Sequence, residues 1–99
     1  MPDPLPDTAL ISRADNQPWC DLGTEVVVLR AKNGAYYRLA STARSMWLLL
    51  SEPRTIEQLL PALAEEYEAP TAVIEADARK FVGECAQLGL MAVMGDRRA

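Results

Sequence analysis

The stretch from Glu25 to Leu39 constrains the fold of this chain more than any other. Glu25–Arg30 is a β-branched run of strand length, and Ala35–Leu39 carries two adjacent tyrosines. The dipeptide Asn33-Gly34 between them tolerates the positive φ angles that a tight turn requires. The sequence therefore predicts an antiparallel β-hairpin.

Side chains alternate between the two faces of a strand, so each strand of this hairpin has an inner and an outer face. In the second strand, Tyr37 and Leu39 share one face, whereas Tyr36 and Arg38 share the other. We assign the leucine face to the core.

The segment before the hairpin predicts one more strand and a loop. Residues 1–7 contain three prolines and are expected to be a flexible tail. Residues 8–13 form a weak strand candidate that would complete a three-stranded antiparallel N-terminal sheet with the hairpin. Trp19 and Leu22 lie in the predicted loop that follows and can fold back on the core. With a second flexible tail at 95–99, we expect one domain over residues 8–94.

Three helices are predicted after the hairpin. The hydroxyl of Ser41 or Thr42 can cap the first helix, which ends near Leu50. The third and longest helix begins at Thr71 or Pro70, runs to about Leu88 and stops at Gly89, a residue type typical of helix ends. Strands followed by helices indicate an α+β fold, in which a small sheet packs on the helices.

The second predicted helix has a strong start and an unusual interior. Thr55 and Gln58 have the spacing of a capping box, in which each side chain pairs with the backbone of the other. Pro61 lies inside the helical pattern and cannot donate a backbone hydrogen bond, so we expect a kink or an irregular turn there.

Composition excludes several classes of protein. Apolar residues make up 49% of the 99 residues, as in an ordinary globular domain. No segment has the roughly 18 consecutive apolar residues of a membrane helix, and the N-terminus has no secretory signal. We therefore expect a cytoplasmic protein. The net charge of −4 argues against a partner that is nucleic acid or membrane.

The sequence also lacks the residues of common catalytic and metal sites. It has no histidine, so neither a Ser-His-Asp triad nor a Cys-His pair can form. Cys20 and Cys85 match no metal or redox spacing, and we interpret them as two separate buried thiols, with a disulfide as the less favoured alternative. The acidic run 65–68 is interpreted as a solvated helix end. We predict no enzymatic activity, no metal and no cofactor.

Recognition is the remaining class of function. In a three-stranded sheet the strand Ala35–Leu39 lies at an edge, where unpaired N–H and C=O groups can bind a further strand from a peptide. Such an edge can also pair with a second copy, so a homodimer is compatible with the sequence.

Two alternatives use other surfaces. A helix-turn-helix regulator would read DNA with the third helix, but Arg79 and Lys80 stand there among acidic residues, whereas phosphate contacts need basic ones. A scaffold would bind only a protein partner through the Leu/Met surface.

Five segments of the sequence form an ordered set at characteristic intervals: Val26–Leu29, Gly34–Leu39, Met46–Leu50, Pro53–Leu59 and Leu88–Leu90. Their order and spacing resemble the PqqD-like family of small recognition elements for RiPP precursor peptides, also called peptide chaperones. The resemblance covers about residues 8–93. Two positions depart from the family pattern: Ala40, where many members have Asn, and Pro61.

The resemblance implies a winged helix-turn-helix-like fold with three N-terminal strands and three helices. It also implies that the leader segment of a precursor peptide docks antiparallel to the third strand, in a cleft against the third helix. The protein would then present the leader to a modifying enzyme, such as a radical SAM enzyme, protease or cyclase of a lasso-peptide or pyrroloquinoline quinone pathway. The positions that match the cleft are Ala35, Tyr36, Tyr37, Arg38, Leu39, Asp77, Lys80, Phe81 and Glu84.

Overall fold

Five strands and three helices make up the part of the protein that the structure describes. The computed structural model describes residues 9–14 and 17–96. In chain order the elements are β1 (Ala9–Arg13), β2 (Trp19–Asp21), β3 (Glu25–Arg30), β4 (Ala35–Ala40), α1 (Thr42–Leu49), α2 (Ile56–Glu66), α3 (Thr71–Leu88) and β5 (Met91–Asp96).

The hairpin predicted from the sequence is present as β3 and β4. The two strands pair antiparallel, with Arg30 opposite Ala35 at the turn and Val26 opposite Leu39 further along. Gly34 has a φ of 72°, the left-handed conformation that glycine adopts without steric cost. Leu39 is buried and Tyr36 is exposed, so the assignment of faces is confirmed.

The hairpin has a different third strand from the one predicted. The three-stranded sheet has the order β2-β3-β4, whereas β1 pairs antiparallel with β5 in a separate two-stranded sheet. The prediction for residues 8–13 was therefore right in identifying a strand and wrong in its partner. The strand β2 holds only three residues, too short to stand out in the sequence, and Trp19 belongs to it rather than to a loop.

The C-terminal segment is more ordered than the sequence indicated. After α3 ends at Gly89, whose φ is 78°, the buried residues Leu90 and Met91 lead into β5. This strand extends to Asp96 and so includes two residues of the predicted tail 95–99. The remaining residues of the two predicted tails, 1–7 and 97–99, lie outside the described residues.

The helices follow the predicted positions, with one capping difference. At the start of α2, Thr55 and Gln58 form the predicted capping box, with hydrogen bonds of 2.9 and 3.2 Å. At the start of α1, Ser41 has a φ of 57° and its hydroxyl makes no capping bond. Capping by a side chain needs extended backbone at this position, and the tight passage from β4 into α1 prevents it.

Pro61 does not interrupt α2, which stays helical from Ile56 to Glu66. The predicted irregular turn is therefore absent. Pro61 is exposed, so its ring faces solvent rather than the core. Its effect on the helix is limited to the loss of one backbone hydrogen bond, because proline has no N–H to donate to the carbonyl four residues earlier.

One core joins the sheets and helices. Trp47 and Met46 of α1 lie at its centre, fully buried, and strand side chains pack on them from β1, β3 and β4. Both cysteines are free, but the expectation that both are buried was wrong, because Cys20 is exposed on β2 and only Cys85 is buried. Within the described residues, no helix is both long and apolar enough to cross a membrane.

Candidate functional site

The outer edge of β4 has no partner strand among the described residues. In the sheet order β2-β3-β4, this strand is hydrogen-bonded to β3 along one side only. An edge of this kind exposes backbone donors and acceptors in a regular row, which is the arrangement that a further strand pairs with.

The pairing pattern shows which backbone groups of β4 face outward. Leu29 donates its N–H to Pro18 at 2.8 Å, on the β2 side, so its neighbours Val28 and Arg30 face β4. Tyr37 lies opposite Val28 and Ala35 opposite Arg30, so the backbone N–H and C=O groups of both residues face β3. The same holds for Leu39, which lies opposite Val26. The outward-facing N–H and C=O groups are those of the alternate residues: Tyr36, Arg38 and Ala40.

A cavity of about 250 Å³ lies between β4 and α3. From β4 it is lined by Tyr37, Arg38 and Leu39, and from α3 by Phe81 and other side chains of the apolar stripe. The complete α-helical and C-terminal lining is Ala43, Phe81, Glu84, Cys85, Leu88 and Leu90. This cavity suits an apolar side chain.

A second cavity of about 310 Å³ adjoins the first and continues along α3. The two share Ala43, Phe81 and Glu84, while Asp77 and Lys80 line only the second. Ala40 and the first residues after β4 form its opposite wall. We refer to the two cavities together as the β4–α3 groove.

The charges along the groove are mixed. Asp77, Lys80 and Glu84 are all exposed on α3, so the second cavity offers both signs of charge within about two helical turns. The third helix's other cation, Arg79, is held by Glu75 at 2.9 Å, one turn earlier. Mixed charge at the rim of a groove contributes more to fixing the register of a bound chain than to its affinity.

The thiol of Cys85 is a lining group and not a reactive one. Burial raises the pKa of Cys85 to about 12, with a smaller contribution from the negative charge of Glu84. Because the thiolate is the reactive form, this thiol behaves at neutral pH as a small apolar side chain.

The structure gathers most of the residues that the resemblance pointed to. Tyr37, Arg38 and Leu39 meet the α3 residues Asp77, Lys80, Phe81 and Glu84 around the groove. Ala35 and Tyr36 do not line it. The side chain of Tyr36 is 70% exposed on the opposite face of the sheet, where it borders a shallow pocket with Trp19 and Cys20.

Sequence reasoning missed several lining residues. Ala43 at the start of α1 and Leu90 beyond α3 both border the groove, although neither lies on the strand or helix that defines it. Cys85 and Leu88 belong to the apolar stripe of α3 visible in the sequence, and their spacing with Phe81 is the signal that could have found them.

Comparisons with known proteins point to one family. The family model described as "Coenzyme PQQ synthesis protein D (PqqD)" matches residues 25–91. A solved structure, "TbiB1 in Complex with the TbiA(beta) Leader Peptide", is similar at 28% identity and a TM-score of 0.75. That match covers 81% of this chain and 93% of TbiB1. No curated protein matches.

Proposed function

This chain belongs to the PqqD family, and we propose that it binds the leader segment of a ribosomally made precursor peptide by adding that segment as a strand to the free edge of β4. The observation that carries the proposal is the open edge beside an apolar groove. In the similar structure, TbiB1 is in complex with a leader peptide.

The backbone supplies pairing but little net affinity. Tyr36, Arg38 and Ala40 each offer an outward N–H and C=O to an antiparallel peptide. Each net hydrogen bond contributes about 1 kcal/mol, whereas ordering one peptide residue costs about 1–2 kcal/mol. These two contributions nearly cancel, so affinity depends on side chains.

Leader side chains in the groove supply the surplus. Those that point toward α3 reach the cavity bordered by Phe81 and Leu39, and burying each one contributes about 1.5–3 kcal/mol. Two or three such side chains give a dissociation constant in the micromolar to nanomolar range. Lys80, Asp77 and Glu84 select the charge pattern of the leader and so fix its register.

The binding is non-catalytic and serves presentation. By holding the leader, the protein raises the effective concentration of the attached core peptide at a modifying enzyme. A radical SAM enzyme, protease or cyclase of RiPP biosynthesis fits this role, and lasso-peptide and pyrroloquinoline quinone pathways are the candidate settings. We further propose that the hairpin and three helices form a winged helix-turn-helix-like unit used for peptide recognition.

Nothing in the described structure or the comparisons favours DNA binding by α3. Of its two cations, Arg79 is held by Glu75 and Lys80 stands beside two carboxylates. Phosphate contacts dominate the affinity of such proteins for DNA.

The test is a proline substitution at the centre of the free edge. Arg38→Pro removes an outward N–H and leaves the β3 ladder intact, because edge strands tolerate proline on the side that faces away from the ladder. The matched control Arg38→Ala removes the same side chain and keeps the N–H. The probes are fluorescently labelled leader segments of candidate precursor peptides from the same genome, and the one that binds the wild type is used to compare the variants by anisotropy.

We expect Arg38→Pro to weaken leader binding at least tenfold and Arg38→Ala to leave it near the wild-type value. Circular dichroism confirms that both variants remain folded. If a folded Arg38→Pro variant binds the leader as well as Arg38→Ala does, pairing at this edge is excluded.

A further inference from the structure

A further cavity lies at the opposite edge of the three-stranded sheet from the β4–α3 groove. It measures about 580 Å³ and is bordered by Arg13, Trp19 and Trp47. None of its described lining residues borders the groove, and β2, which carries Trp19, is the opposite edge of the sheet from β4. The leader-binding proposal leaves this cavity unused.

Arg13 is held in the cavity by aromatic rings and not by a carboxylate. Its guanidinium carbon lies 4.9 Å from the centre of the Trp19 ring and 5.6 Å from that of Trp47. The two rings are themselves in edge-to-face contact, with centres 6.1 Å apart. No salt bridge of Arg13 occurs within the described part of the chain.

A second donor in the same wall also lacks an acceptor. The indole Nε1 of Trp47 is buried and has no hydrogen-bond partner among the described residues. Leaving a buried donor unpaired is energetically costly, so native proteins rarely contain one. Because the indole Nε1 is fully buried, Arg13 is the charged donor that this cavity offers to a ligand.

The remaining lining is neutral. Arg13 is the one charged side chain among the described residues around the cavity, which otherwise presents apolar side chains and the uncharged polar side chains of Ser12, Gln17 and Ser51. The side chain of Trp19 is 42% exposed at the entrance. Arginine and tryptophan are among the residue types enriched where a few side chains dominate the affinity of a protein interface.

We propose that this cavity is a docking site for a partner polypeptide, which inserts an acidic side chain to pair with Arg13 between the two tryptophans. The guanidinium is oriented by the two rings, so an incoming carboxylate gains a charge-assisted hydrogen bond at little cost in side-chain ordering of Arg13. The site is separate from the groove, so leader and partner bind at the same time.

The chain offers a direct optical readout. Trp19 and Trp47 are the two tryptophans of the sequence, and both border the cavity. Intrinsic tryptophan fluorescence therefore reports on this site. The probes are two capped tripeptides, Gly-Glu-Gly and Gly-Gln-Gly, each acetylated at the N-terminus and amidated at the C-terminus, with sodium acetate as a third probe.

We expect a saturable change with the glutamate peptide at millimolar concentrations, as suits a single anchoring contact, and at least tenfold weaker binding of the glutamine peptide. Arg13→Gln should abolish this preference, Arg13→Lys should retain part of it, and the control Arg38→Gln should leave it unchanged. Circular dichroism confirms that each variant is folded, and the leader should bind Arg13→Gln with wild-type affinity.

Three outcomes would overturn the proposal: an equal response to both peptides, a folded Arg13→Gln variant that keeps the preference, or competition between the glutamate peptide and the leader. Acetate binding as tightly as the peptide would exclude a polypeptide as the ligand. The two readouts of peptide preference do not require the leader to bind β4, so failure here is distinguishable from failure of the proposed function.

Discussion

Arg30 at the end of β3 donates a hydrogen bond from its Nε to the backbone carbonyl of Leu88, in the last turn of α3. The chain then turns away at Gly89, where an added Cβ would lie 3.8 Å from the Arg30 guanidinium. The two residues stand 58 positions apart in the sequence. Their contact ties the hairpin to the helix and thereby fixes the width of the β4–α3 groove.

Loss of this contact should affect both stability and binding. Arg30→Met keeps much of the aliphatic side chain but removes a charged donor from the C-terminus of a helix, where unpaired carbonyls carry partial negative charge. We expect the free energy of unfolding in urea to fall by about 1–2 kcal/mol and leader affinity to fall several-fold.

The control for this change is Arg38→Met, because the Arg38 side chain is 76% exposed and its nearest carboxylate, in Glu25, lies at 3.6 Å. Surface pairs of this kind contribute about 0–1 kcal/mol, so this variant should be nearly as stable as the wild type. Equal stability of the Arg30 and Arg38 variants would show that the contact to Leu88 does not hold the helix.

Phe81 should contribute more to leader binding than to folding. It borders both cavities of the groove, and Phe81→Ala removes the largest apolar surface that α3 offers there. We expect leader affinity to fall at least tenfold, as measured by fluorescence anisotropy, because an apolar leader side chain loses its contact.

Leu60→Ala is the matched control for Phe81→Ala. Like Phe81, Leu60 is partly buried against the core, but it lies on α2 and does not border the groove. This variant should lose stability and keep leader affinity. If both variants weaken binding equally, the effect reflects general loosening and the groove is misplaced.

Lys80 should select leaders that carry a negative charge near the second cavity. It is exposed between Asp77 and Glu84, so Lys80→Glu makes this wall of the groove entirely acidic. We expect weaker binding of the leader in low-salt buffer and a smaller difference as salt increases, because exposed charges are screened.

The control Lys32→Glu makes the same charge change in the exposed turn between β3 and β4, outside the groove. It should alter binding less than Lys80→Glu at every salt concentration. An identical effect of the two variants would assign the result to net charge instead of to the groove.

Asp21 should make folding sensitive to acid. Hydrogen bonds from Arg44, and then from the backbone N–H of Gly23, hold the pKa of Asp21 below its usual value of 3.8. The contact to Arg44 is bidentate, with both distances at 2.9 Å, and joins β2 to α1. Since the folded state favours the ionised carboxyl, the stabilisation is present above about pH 4 and disappears as the pH falls through the lowered pKa.

Urea unfolding of the wild type and Asp21→Asn, repeated from neutral pH down to about pH 2, checks this expectation. The wild type should be more stable at neutral pH, and the difference should shrink below pH 4. A difference that stays constant down to pH 2 would contradict the pairing of Asp21 with Arg44.

Local rules were enough to predict much of the fold. The hairpin follows from a β-branched run and a glycine turn, and the start of α2 follows from Thr55 and Gln58. Apolar spacing along the helix placed Phe81 on the inner face of α3, whereas its place in the groove was implied by the resemblance to the PqqD-like family. Ala43 and Leu90 could not be predicted in this way, since they reach the groove from other elements.

The sequence by itself determined the hairpin, the three helices and the face that each one buries, because these depend on backbone preferences and side-chain period within a few residues. Only the tertiary structure decided that β1 pairs with β5 and that the short strand Trp19–Asp21 completes the sheet. The pairing of strands that are distant in the sequence depends on which surfaces the packed helices leave uncovered. The free edge of β4 and the groove beside it result from that choice.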